Sequence, residues 1–128
     1  MRPTVLIADG DELLAAAYGA FLIAEGFQVH WVRNGLDCLE ALRRQAPQAL
    51  ILDAELPWGS WSGVMEVMNQ DPSIAIVPVV ILTARPTALP WPTPAPHSPV
   101  TLLKPIAPVS MARILRNLLN SEPACVET

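Results

Sequence analysis

The hydrophobic positions of this chain fall into short runs whose period changes from one run to the next. Val5 to Ala8 and Ala49 to Leu52 are continuous apolar stretches that end in acids, the pattern of central parallel strands covered by helices on both faces. Between them, residues 11 to 25 place Leu14, Ala17, Tyr18, Phe21 and Leu22 at helical spacing, and Gly26 supplies the stop. Phe27 to Val32 alternates as a short strand, and Asn34-Gly35 opens a second helix carrying Leu36, Leu39, Ala41 and Leu42. Arg43 and Arg44 fall in its last turn, where the helix dipole favours cations, and Pro47 follows. Farther along, Val64, Met65, Val67 and Met68 predict a third helix, Val77 to Leu82 a fourth buried strand, Val100 to Leu103 a fifth, and Met111 to Leu119 a last amphipathic helix. Strand and helix alternate, which predicts an α/β fold with a doubly wound parallel sheet.

One interval breaks the alternation. Where a helix is due between the fourth and fifth strands, six prolines stand at 86, 90, 92, 94, 96 and 99. Each removes an N–H and turns the residue before it away from helical angles, at roughly 3 kcal/mol per interior helix position. The segment 84–100 is therefore expected to be a Pro-rich loop in place of the fourth helix. Residues 1–120 read as one domain and residues 121–128, with little apolar content, as a flexible tail.

Composition narrows the classes of function. Apolar residues make up 52% of the 128, enough for a core without disulfides or metals, and no apolar run is long enough to span a bilayer. The N-terminal run meets acids too soon for a secretory signal, so a cytoplasmic location is expected. Cys38 and Cys125 lie in no metal-ligand spacing and read as ordinary thiols. His30 and His97 have no second ligand in register and read as surface residues. A net charge of −4 with only eight Lys and Arg argues against direct nucleic-acid binding, which needs a basic patch.

In an open α/β sheet, side chains just past the carboxyl ends of neighbouring strands share one crevice. This places Asp9, Asp11 and Glu12 after the first strand, Asp53 and Glu55 after the third, Thr83 after the fourth and Lys104 after the fifth. Read with VLIADGDE, VRNGLDCLEAL, ALILDAELPWGSWSG, VVILTAR and LLKP, the chain resembles the receiver domains of bacterial two-component systems over essentially its whole length. The resemblance implies a flavodoxin-like, doubly wound sheet of five parallel strands. It implies that Asp53 is the phosphoacceptor, that Thr83 and Lys104 contact the phosphoryl oxygens, and that Asp9, Asp53 and the backbone of Glu55 hold Mg²⁺. It further implies a histidine kinase or phosphotransfer protein as donor and a downstream protein partner, and a cis peptide at Lys104-Pro105. A homodimer is an open alternative, and the domain is expected to be a signalling acceptor rather than an enzyme.

Two positions depart from the family's pattern. The family places two adjacent acids after the first strand, and here the pair reads Asp9-Gly10. Losing one unit charge about 4 Å from a metal is worth about 4 kcal/mol per charge at an effective dielectric near 20, so Mg²⁺ binding is expected to be weakened or absent. Asp11 or Glu12 is the candidate substitute, given the backbone freedom of Gly10. Thr101 stands where the resemblance expects an aromatic switch residue. Glu55 and Arg85 flank the site entrance and are candidates for an ion pair across it. Trp58, Trp61 and Trp91, with the proline segment, are a candidate interaction surface or simply loop packing. Two functions follow: a phosphorylatable receiver, and a phosphorylation-independent pseudo-receiver that acts by binding alone. A hydrolase of the related aspartyl-phosphate type is disfavoured, since Glu55 stands where its general-acid Asp is required.

Overall fold

The computed structural model describes residues 2–57, 61–84 and 100–120. Its elements alternate as expected: β1 (Thr4–Ala8), α1 (Glu12–Ala24), β2 (Gln28–Val32), α2 (Gly35–Gln45), β3 (Ala49–Asp53), α3 (Trp61–Gln70), β4 (Val79–Thr83), β5 (Val100–Leu103) and α4 (Pro108–Asn120). The strands form one sheet in the order β2-β1-β3-β4-β5, and every neighbouring pair is parallel. The chain runs from β1 outward to β2 and then returns past β1 to β3. The carboxyl ends of β1 and β3 therefore flank the point where the winding reverses, the place where open α/β sheets form their crevice.

The period of two in the strands divides the core into two layers. Leu6 and Ala8, Leu50 and Leu52, and Val79 and Ile81 face Cys38, Leu42, Val64, Met65 and Met68 of α2 and α3. Val5 and Ile7, Ala49 and Ile51, and Val80 and Leu82 face Ala15, Tyr18, Leu22, Met111 and Leu115 of α1 and α4. Central strands buried on both sides need apolar residues at every position, which is why β1, β3 and β4 read as unbroken runs. The edges are different. In β2, Gln28 and His30 are exposed, and in β5, Thr101 and Leu103 are exposed. Cys38 is a buried free thiol, and burial pushes it up to about 12.

Helix ends follow local chemistry. Asp11 caps α1, its Oδ1 accepting from the N–H of Leu13 at 3.0 Å and Leu14 at 3.2 Å. Asn34 caps α2 through the N–H of Asp37 at 2.8 Å. Gly26 turns the chain from α1 into β2 at a φ of 100°, in the left-handed region that favours glycine.

Several expectations are corrected. Ala17 is exposed, and Ala15 and Gly19 take the buried positions instead. Helix α1 is apolar nearly all round, so periodicity does not single out one face, and Leu13 and Ile23 are left in solvent. Leu36 is exposed as well, since α2 packs through Cys38, Ala41 and Leu42. Strand β4 starts at Val79 rather than Val77, because Val77 still closes a turn onto Ile74 and Pro78 has no N–H for the ladder. Segment 85–99 and tail 121–128 lie outside the described residues, as do Trp58, Trp91, His97, Cys125 and Arg85. Trp61 begins α3 and packs partly buried against the α2/α3 layer.

The division of burial predicts how substitutions rank. Leu50→Ala empties a fully buried site at the sheet centre and should cost about 2–5 kcal/mol in urea unfolding. Leu13→Ala, at a position 83% exposed, should stay within about 0.5 kcal/mol.

Candidate functional site

The only buried charged residues of the described chain sit at the carboxyl ends of its central strands. Asp9 and Asp53 are buried after β1 and at the end of β3, and Thr83 is buried at the end of β4. Each is held by the sheet that delivers it. The N–H of Asp9 donates to the Val32 carbonyl at 3.1 Å, which continues the β1-β2 ladder past its last strand residue. Asp53 lies opposite Leu82 in the β3-β4 register, and the N–H of Ala54 donates to the Leu82 carbonyl at 2.8 Å. The N–H of Lys104 donates to the Thr83 carbonyl at 2.7 Å, which fixes the lysine backbone beside β4, and the peptide joining Lys104 to Pro105 is cis.

Side chains then converge. The Lys104 ammonium donates to Oδ1 of Asp53 at 3.0 Å and lies 3.8 Å from Oδ2 of Asp9. Oδ1 of Asp53 also accepts from the N–H of Glu55 at 3.1 Å, while Oδ1 of Asp9 accepts from the N–H of Asp11 at 2.8 Å. Burial raises the Asp9 carboxyl above the ordinary aspartate range; the Asp11 N–H and Lys104 pull it down, and the neighbouring Asp53 adds to the rise. Burial pulls the Lys104 ammonium down, but its hydrogen bond to Asp53 and the charges of Asp53 and Asp9 outweigh this and raise it.

A residue absent from the sequence reading completes the surround. The Trp31 indole N–H donates to the Asp9 carbonyl at 2.8 Å, and the Arg33 guanidinium lies 4.8 Å above the Trp31 ring. Arg33 in turn approaches Glu12 at 3.8 Å. No motif marks Trp31; the signal available was an aromatic on an edge strand, in register with Ile7 two residues before Asp9.

The sequence-derived site residues divide accordingly. Asp9, Asp53 and Lys104 meet, Thr83 stands at the adjoining strand end, and Glu55 contributes its N–H to Asp53. Asp11 does not join them, because its carboxylate is turned to the first turn of α1. Gly10 does not use the left-handed freedom that made Asp11 a candidate substitute, since among the described glycines only Gly26 has a positive φ. Glu12 is directed to Arg33. Among the described residues no group of three or more Asp, Glu, His or Cys is placed to hold a metal ion. The described residues thus bring two carboxylates, Asp9 and Asp53, to the cleft and fall one carboxylate short of the acid set the resemblance calls for. A cavity of about 800 Å³ lies elsewhere, lined by Pro3, Phe27, Ile76, Arg116 and Leu119 among others and by none of the acidic-site residues.

Comparison with known proteins identifies the family and the fold. The family model described as the response regulator receiver domain matches residues 5–89. The chain belongs to the response regulator receiver family. It is 29% identical over 84 residues to the polar-differentiation response regulator DivK of Brucella anthropi, covering 66% of this chain and 68% of DivK. It is 34% identical over 85 residues to the DNA-binding response regulator MtrA of Mycolicibacterium paratuberculosis, covering 66% of this chain but 36% of MtrA. The receiver domain from Methylobacillus flagellatus superposes with a TM-score of 0.80 at 23% identity, covering 92% of this chain and 99% of that one. The receiver domain of a sensor histidine kinase from Pseudomonas aeruginosa, solved with a magnesium ion in its cleft, superposes with a TM-score of 0.81 at 20% identity, covering 94% and 99%. These last two support the fold. No helix among the described residues of this receiver is long and apolar enough to cross a membrane.

The raised Asp9 carboxyl sets a pH dependence. A carboxyl raised in the native state binds protons more tightly there than in the unfolded chain, so stability falls as pH rises from 3.8 through the native value. Asp9→Asn, whose amide oxygen can still accept from Asp11, should raise the thermal midpoint at pH 7. The gain should shrink toward zero near pH 3.5, as followed by circular dichroism melts.

Proposed function

We propose that this receiver works in phosphorelay signalling, accepting a phosphoryl group on Asp53 from a histidine kinase or phosphotransfer protein and so changing its affinity for a protein partner. The observation that carries the reading is the Lys104 ammonium 3.0 Å from Oδ1 of Asp53, with Thr83 at the next strand end. Phosphoryl transfer asks a protein mainly for positioning and charge neutralisation. An oxygen of Asp53 attacks phosphorus while the bond from phosphorus to the donor's leaving group breaks, and that group departs with the electron pair. Lys104 is a compact charge placed for the phosphoryl oxygens, and the Thr83 hydroxyl is a further donor at the rim. Ala54 and Ala84, each following a rim residue, leave the approach free of bulk. The domain on this reading is an acceptor that turns over no substrate of its own, acts in the cytoplasm and contacts no nucleic acid directly.

A second reading, a phosphorylation-independent binding module, is favoured by one specific observation: Gly10 carries no carboxylate and Asp11 is committed to its helix. The two are separated by intact mass. Acetyl phosphate should add one phosphoryl group to the wild type and none to Asp53→Asn. Lys104→Ala should slow labelling by roughly 100-fold with its fold intact by circular dichroism. A wild-type chain that stays unlabelled under every donor and cation condition belongs to the second reading.

A further inference from the structure

We infer that the acidic cleft of this receiver holds no resident divalent cation, and that the Lys104 ammonium stands in as the counter-ion of Asp9 and Asp53. This builds on the reading of the cleft as an acceptor site, but its first readout does not depend on phosphoryl transfer.

Three observations converge. The position after Asp9 is tight as well as empty: a Cβ on Gly10 would lie 3.2 Å from Cδ and 3.4 Å from Cγ of Pro57, so the proline ring has to give by a few tenths of an ångström for a side chain there. That loop is tied down, since the Pro57 carbonyl accepts from the N–H of Gly35 at 3.1 Å. The nearby acids are engaged elsewhere, Asp11 by the N–H groups of Leu13 and Leu14 and Glu12 by Arg33. Within the cleft, Oδ1 of Asp53 already serves Lys104 and Glu55, and Oδ1 of Asp9 already serves Asp11.

Charge decides the outcome. Mg²⁺ surrenders its water reluctantly and looks for a dense set of oxygens. Here two carboxylates face an ammonium already 3.0 Å and 3.8 Å from them. A metal entering would lack one ligand charge and meet a like charge. By charge alone, the missing carboxylate weakens binding of a divalent ion by at least about a thousand-fold. The consequence for chemistry is that attack of Asp53 on acetyl phosphate, with acetate leaving, draws its charge compensation from Lys104 and Thr83.

The test is calorimetric titration of MgCl₂ into the intact chain. Wild type should give no saturable heat and no shift of thermal midpoint. Lys104→Gln, which removes the competing ammonium, should gain saturable binding, and Gly10→Asp with Pro57→Ala should gain it also. If that double variant fails to fold, Lys104→Gln decides. Saturable Mg²⁺ binding by wild type that Asp53→Asn abolishes overturns the inference, as does a Lys104→Gln variant that gains nothing. Labelling by acetyl phosphate should proceed equally in EDTA and in MgCl₂, and a strict Mg²⁺ requirement overturns the inference too. An absence of labelling in both overturns the acceptor reading instead, and leaves calorimetry to decide the cation.

Discussion

Three strands of this receiver have no solvent-facing side. Because β1, β3 and β4 are covered on both faces, their interior positions are apolar, and polar chemistry is displaced to where the strands end. Parallel pairing puts those ends on one side of the sheet, and the reversal of winding between β1 and β3 opens the gap they share. Asp9, Asp53 and Thr83 stand at the rim because the strands that carry them are apolar further in, and Lys104 reaches them from the end of the neighbouring edge strand.

What they make is a small set of charges in a partly dry place. Asp9 is held against its burial by directed contacts: the Asp11 N–H on its carboxylate and the Trp31 indole on its carbonyl. Lys104 is fixed at both ends, its backbone bonded to β4 and its ammonium to Asp53. A buried charge needs such partners, and in a low dielectric the exchange of one carboxylate for glycine changes the balance of the whole group. Gly10 therefore matters beyond the loss of a ligand, since it leaves two carboxylates facing the one ammonium of Lys104.

Much of this was legible in the sequence. The unbroken runs at β1, β3 and β4, the acids that end them and the order of Asp53, Thr83 and Lys104 located the sheet and its rim, because a doubly covered strand leaves a strong signature. Three features were not legible, for distinct reasons. The buried face of α1 was misread at Ala17, since a helix apolar on every side carries no phase. The use of Asp11 was open because an aspartate after a strand serves equally as cap and as ligand, and only geometry chooses. Trp31 was invisible because its contact with Asp9 crosses between strands that are 22 residues apart at these positions, a relation that no local spacing encodes.

The two apolar layers share no residue: one belongs to α2 and α3, the other to α1 and α4, and the sheet separates them. Packed layers of this kind shift as units rather than deforming smoothly. Near the strand ends each unit is tied to a loop, one through the Gly35 N–H donating to the Pro57 carbonyl and the other through Tyr18, whose hydroxyl donates to the Ile106 carbonyl. Asp53, at the end of a strand packed between the two layers, is thus a point from which either layer is one contact away, so the sheet's rim borders two separate interiors rather than one.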